Sequence, residues 1–154
     1  MLAALAAVLA GAALWVFTPS AVQDAGSSVG LPLAVGETVY AGLLVHSDDP
    51  INVRSVTPRV SRNDAGATVT VMTCTVTGAD GVGAVPAGEI ARLCAPLEEF
   101  VPAVLALPTR HSLVVAITPT RPGMLRIDGV DISYRDGLRI GRQHTGVTIT
   151  GKAG

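Results

Sequence analysis

The sequence predicts an all-β domain, an antiparallel sandwich of about seven short strands, behind one N-terminal transmembrane helix. Three observations carry that expectation. Leu2 to Phe17 are sixteen consecutive apolar residues, LAALAAVLAGAALWVF, and the chain beyond them is polar enough to live in water. From Val39 onward apolar residues recur with a period of two, the spacing of a half-buried strand. Turn residues separate these runs and no helix-length pattern intervenes, which speaks against a parallel sheet.

At about 1.5 Å rise per residue the apolar run is about 24 Å long, slightly short of a hydrocarbon core of about 30 Å. Met1 and Thr18 can extend it, and Trp15 suits the membrane interface. A cleaved secretory signal is the competing reading, but it needs a basic start and small residues before the cut. No Lys or Arg precedes the run, the first basic residue being Arg54, and a cut after Ser20 would place Thr18 at −3. We therefore read residues 1–18 as a retained anchor that meets the bilayer through residues 2–17. Native residues upstream of Met1 would also account for the missing basic start. The flank from Thr18 to Val53 has no Lys or Arg, so the domain is expected outside the cytoplasm, anchored to the cytoplasmic membrane.

Residues 19–36 read as a linker, with two prolines, three glycines and no periodicity in Thr18 to Gly36. The sandwich is expected over 37–151. Val39, Ala41, Leu43 and Val45 alternate with Tyr40, Gly42, Leu44 and His46, so one face is wholly apolar; His46 to Pro50 breaks the strand. Ile51 to Val60 resumes β character, with Pro58 marking an edge or a strand end. Ala67 to Thr77, ATVTVMTCTVT, is the strongest strand, and its apolar phase slips between Val71 and Met72, which predicts a β-bulge. Gly78 to Gly88 reads as a loop. Leu93 to Leu107 is ambiguous, with Pro96 able to open one helical turn. Leu113 to Thr118 is continuously apolar, a central strand buried on both faces. Leu125 to Tyr134 slips phase at Asp128-Gly129; Asp136-Gly137 signals a two-residue hairpin, and Leu138 to Ile140 and Val147 to Ile149 complete the set.

Cys74 and Cys94 are the two cysteines. In an exported domain they read as one disulfide. Charge is uneven: residues 1–100 carry 4 Arg against 9 Asp or Glu, and residues 101–154 carry 7 Lys or Arg against 3 Asp, which sums to the formal −1. A basic C-terminal part suits anionic head groups or wall polymers. Nucleic acid is not expected, because the basic residues lack interleaved aromatics.

The segment Pro122 to Gly146, PGMLRIDGVDISYRDGLRIGRQHTG, resembles the tail of small, uncharacterised, single-pass membrane-anchored proteins of actinobacteria. The resemblance covers about the last 35 residues firmly and the layout loosely. It implies an exported immunoglobulin-like β-sandwich after one N-terminal span, and it implies no activity. The Cys…Trp…Cys spacing of antibody domains is missing, since the sole Trp is Trp15. Arg135, Arg139, Arg142, Gln143 and His144 form a candidate surface patch within this segment, although Tyr134 continues the inward phase of Val130 and Ile132. Gly137 and Gly141 are read as turn and bulge positions.

No catalytic or metal residues are assigned and no cofactor is expected. His46, His111 and His144 are scattered, no GxSxG elbow occurs, and Glu98 and Glu99 are adjacent, so they point to opposite faces of a strand. The expected work is binding or structural: contact with another envelope protein or an anionic wall polymer. An enzyme or metal carrier with a loop-built site, a secreted domain, and an accessory subunit of a membrane complex are the alternatives.

Overall fold

The computed structural model describes residues 22–23, 26–78 and 82–154. The anchor expected over residues 1–18 lies outside them. Among the described residues no helix is long and apolar enough to cross a membrane.

Among the described residues ten strands and one short helix follow in chain order: β1 Ser28–Leu33, β2 Val39–Gly42, β3 Ile51–Asn63, β4 Thr68–Val76, β5 Ala84–Pro86, α1 Ala87–Leu93, β6 Cys94–Glu99, β7 Ala103–Leu105, β8 His111–Thr118, β9 Gly123–Asp136 and β10 Arg139–Ala153. They form two five-stranded sheets, β1-β10-β9-β3-β7 and β5-β2-β8-β4-β6, called here sheet 1 and sheet 2. The inward positions of both sheets meet in one core: Ile51, Val53, Leu125, Ile127, Ile132 and Ile149 from sheet 1, with Ala41, Val71, Leu113, Val115 and Ile117 from sheet 2. The described residues form an all-β sandwich, as expected, with ten strands in place of about seven.

Several elements match their sequence signals. Val39, Ala41, Leu43 and Val45 pack on the core cluster. In β8 the odd residues Leu113, Val115 and Ile117 enter this core while Val114 enters a second one. The phase slip in β9 is real: the β9–β10 register shifts between Thr145 and Thr148, Gly129 takes φ +69, and both Leu125/Ile127 and Val130/Ile132 stay buried. Asp136 pairs with Arg139 across a two-residue turn with Gly137 at φ +56. Pro58 sits where β3 borders no further strand, because β7 pairs only with Ile51 to Val53.

Other expectations are corrected. Residues 28–33, assigned to the linker, form β1, which pairs in parallel with β10 from Ser28–Thr148 to Leu33–Ala153, so sheet 1 is not wholly antiparallel. The alternation Val29, Leu31, Leu33 gives it an inward face despite Gly30 and Pro32. In β4 no bulge separates Val71 from Met72; the register against β8 runs unbroken from Thr68–Thr118 to Thr75–His111. Both phases are apolar because both faces are covered. Val71 faces the inter-sheet core, and Cys74 joins Val82, Ile90, Cys94 and Val114 in a second core, with Met72 and Val76 packed against it. The lid of that second core is α1, which buries Ile90. The segment read as a loop thus holds β5 and the start of α1, and Pro96 lies in a strand instead of opening a helical turn.

The disulfide Cys74–Cys94 is formed, with S–S 2.08 Å and Cα–Cα 5.0 Å. It joins neighbouring strands of the same sheet, since Val76 and Cys94 are register partners.

Candidate functional site

Alternation along β3, β9 and β10 turns one set of side chains into the core and the other onto the outer face of sheet 1. Register fixes the rows on that face. The first is Val104–Asn52–Arg135–Ile140, reading from β7 across β3 and β9 to β10. The second is Ser55–Ser133–Arg142, with the two serine hydroxyls 2.6 Å apart and exposed Arg54 beside them where the β3 register shifts. The third is Thr57–Asp131–His144. Asp128–Thr148 follows, then Arg62–Arg126–Thr150.

This face gathers most of the positive charge of the protein. Arg54, Arg59, Arg62, Arg126, Arg135, Arg142 and Lys152, seven of the eleven Lys and Arg, lie on it beside the carboxylates Asp128 and Asp131. The carboxylates are used locally. Asp131 lies 3.1 Å from His144 Nδ1 and 4.0 Å from Arg59. Asp128 accepts from Arg126 Nε at 2.6 Å, and hydrogen bonds from Ser61 and Arg126 hold its carboxyl below its ordinary pKa. Arg62 pairs with Asp64 at 2.6 Å. Among the described residues Arg54, Arg135 and Arg142 have no carboxylate within ion-pair distance; Arg135 Nε instead donates to the Gly137 carbonyl at 2.8 Å. An open cleft of about 340 Å³ lies at this end of the face, lined by Arg54, Tyr134, Arg135 and Ile140.

The expected patch is therefore split by the pleat. Arg135, Arg142 and His144 share the outer face. Arg139 and Gln143 belong to the opposite phase, and Gln143 Nε2 donates to the Val22 carbonyl at 2.9 Å, strapping the chain's entry to β10. Thr145 Oγ1 donates to the Gln23 carbonyl at 3.2 Å, and Gln23 N–H to the His46 carbonyl at 2.9 Å. Tyr134 is buried, as its phase implied. Gly141 is not a bulge residue: it pairs in register with Tyr134, whose ring occupies the space a Cβ would need. Arg54, Arg59, Arg62 and Arg126 were missed as site residues. They come from the distant β3 and from the start of β9, and only the strand register brings them beside Arg135 and Arg142.

Among the described residues no three His, Cys, Asp or Glu side chains come together in a way that could hold a metal ion. His111, at the start of β8, accepts the Ala106 backbone N–H at Nδ1, 3.2 Å. Burial first, and then the neighbouring Arg110, push its pKa below the ordinary 6.5. A folded pKa below the unfolded one means stability is complete above about pH 6.5 and falls as the pH drops from there toward the folded value. The expected result is an NMR midpoint for His111 below 6.5 and a lower melting temperature at pH 5.5 than at pH 7.5. A midpoint at or above 6.5 contradicts this reading.

No known family model, curated protein or solved structure matches the chain.

Proposed function

We propose that this chain is a membrane-tethered module that holds an immunoglobulin-like sandwich outside the cytoplasm and binds an anionic component of the cell envelope through the outer face of sheet 1. The observation that carries this reading is the concentration of seven cations against three carboxylates, Asp64, Asp128 and Asp131, among the described residues of one sheet face. Planar guanidinium groups on a rigid sheet suit phosphate or carboxylate groups spaced along a surface or polymer. The disulfide favours an oxidising compartment. The apolar run Leu2 to Phe17 supplies the tether. Two sheets packed face to face, with loops at both ends, favour the immunoglobulin-like description over a closed barrel.

The test is site-specific photo-crosslinking in intact cells. A crosslinker at Thr57, on the outer face of sheet 1, is expected to capture adducts. One at Glu99, on the opposite sheet, is expected to capture none. Adducts from Glu99 with none from Thr57 overturn the assignment of the face.

A further inference from the structure

Strand polarity says which end of this face lies nearest the tether. Going upstream from Ser28, the chain follows β10 backwards: the Ser27 carbonyl accepts from Thr148 N–H at 3.0 Å, the Gln23 carbonyl from Thr145, and the Val22 carbonyl from Gln143. The chain thus enters the domain from the side of the β9–β10 turn. Gln143 stands four residues from the start of β10, a distance of about 13 Å along a strand. Five residue steps separate Val22 from Phe17, the last residue of the apolar run, and extended chain spans at most about 18 Å over five steps.

That end of the domain has the composition of an interfacial surface. Leu138, in the turn, is 68% exposed, Ile140 54% and Val104 61%. Register puts Val104 and Ile140 in one outward row with Arg135 between them, and Leu138 stands in the turn beyond. Arg54 and Arg142 lie in the next row, and Arg54 and Arg135 flank the open cleft. Among the described residues the carboxylates at this end are Asp136 in the turn and Asp48 and Asp49 before β3, fewer than the cations Arg54, Arg110, Arg135, Arg139 and Arg142. Apolar tips ringed by arginine match a lipid surface, with side chains entering the acyl boundary and guanidinium groups on phosphates.

We infer that the β9–β10 turn is a second membrane contact. Leu138 and Ile140 enter the interface of the bilayer that holds the tether, and Arg54, Arg135 and Arg142 bind anionic lipid headgroups. This rests on the proposed function and assigns the hairpin end of the cationic face to the headgroup layer, leaving the rows from Thr57 onward to the envelope component. The domain then stands against the bilayer on its hairpin end, with the far rows of sheet 1 directed away from it.

The full chain, reconstituted in vesicles of phosphatidylcholine with phosphatidylglycerol, tests this with two tryptophan reporters. The native Trp15 reports the tether; Leu138→Trp in a Trp15→Phe background reports the turn. The expected result is a blue-shifted emission from the turn reporter, quenched by brominated lipid in anionic vesicles. Adding Arg135→Gln and Arg142→Gln should weaken the contact roughly 25-fold, at about fivefold per arginine near an anionic surface. If the turn reporter emits at the wavelength of water and is quenched by iodide, while Trp15 is quenched by brominated lipid, the turn contact is overturned and the tether stands. Failure of both reporters to sense brominated lipid overturns the tether itself. Quenching at the turn that is equal in neutral vesicles and indifferent to the arginine substitutions overturns the headgroup assignment.

Discussion

Gly141→Ala is expected to destabilise the domain by about 3 kcal/mol, the upper end of what forced overpacking of a core costs. Ordinarily this substitution in a strand is mildly favourable, because it removes backbone freedom from the unfolded chain. Here the added Cβ would stand 2.6 Å from Cε1 of Tyr134 and closer still to Cζ and Oη. Tyr134 is 1% exposed and among the largest fully buried side chains, so shifting its ring disturbs the packing of the inter-sheet core. Gly30 in β1 supplies the control: nothing lies within 4 Å of its would-be Cβ. Gly30→Ala should be neutral or stabilising by about 0.5 kcal/mol. A double-mutant cycle isolates the cause. In a Tyr134→Leu background, which costs stability by itself, Gly141→Ala should cost far less than in the parent. If denaturant melts show the same cost in both backgrounds, the ring is not what requires the glycine.

Loss of the disulfide is the second large effect. Its twenty-residue span predicts a contribution of roughly 3 kcal/mol by restricting the unfolded chain. For a domain of this size that is a melting shift of about 10 °C. The physical setting sharpens the expectation. The bridge ties β4 to the junction between α1 and β6, and α1 is the only helix among the described residues that lids the second core around Val82, Ile90 and Val114. Cys74→Ala with Cys94→Ala should therefore lower the melting temperature and also raise hydrogen exchange in β6 and α1 before the rest. Parent protein unfolded and refolded in reductant should melt close to the double variant. A parent that melts equally with the bridge intact and reduced contradicts this account.

Much of the fold was legible because inward positions of a sandwich repeat with period two. Two departures from that pattern have separate physical causes. In β4 the sequence TVTVMTCTV is apolar in both phases, which a one-sided strand can satisfy only with an inserted residue; α1 and Val82 cover the second face and remove the need for one. Strand β1 was hidden by Gly30 and Pro32, although Val29, Leu31 and Leu33 carried the alternation. A parallel edge strand beside β10 tolerates both residues, since both lie on the exposed phase. The site was less legible than the fold. Clustering of arginines in Pro122 to Gly146 pointed at β9 and β10, yet adjacency in sequence put Arg139 and Gln143 in the patch when the pleat turns them the other way. Arg54, Arg59 and Arg62 could have been added from the polar phase of Ile51 to Val60, but no spacing rule says which strand β3 pairs with.

The protein has one lysine, Lys152, exposed near the end of β10. The proposed tethering outside the cytoplasmic membrane is therefore open to one direct measurement. Intact cells producing the full chain are treated with a membrane-impermeant amine-reactive biotin, and the membrane fraction is probed for labelled protein. Labelled protein is expected to sediment with the membranes, and Lys152→Arg to abolish the label. Label that appears only after the cells are broken, on protein recovered from the soluble cytosolic fraction, contradicts the tethered arrangement.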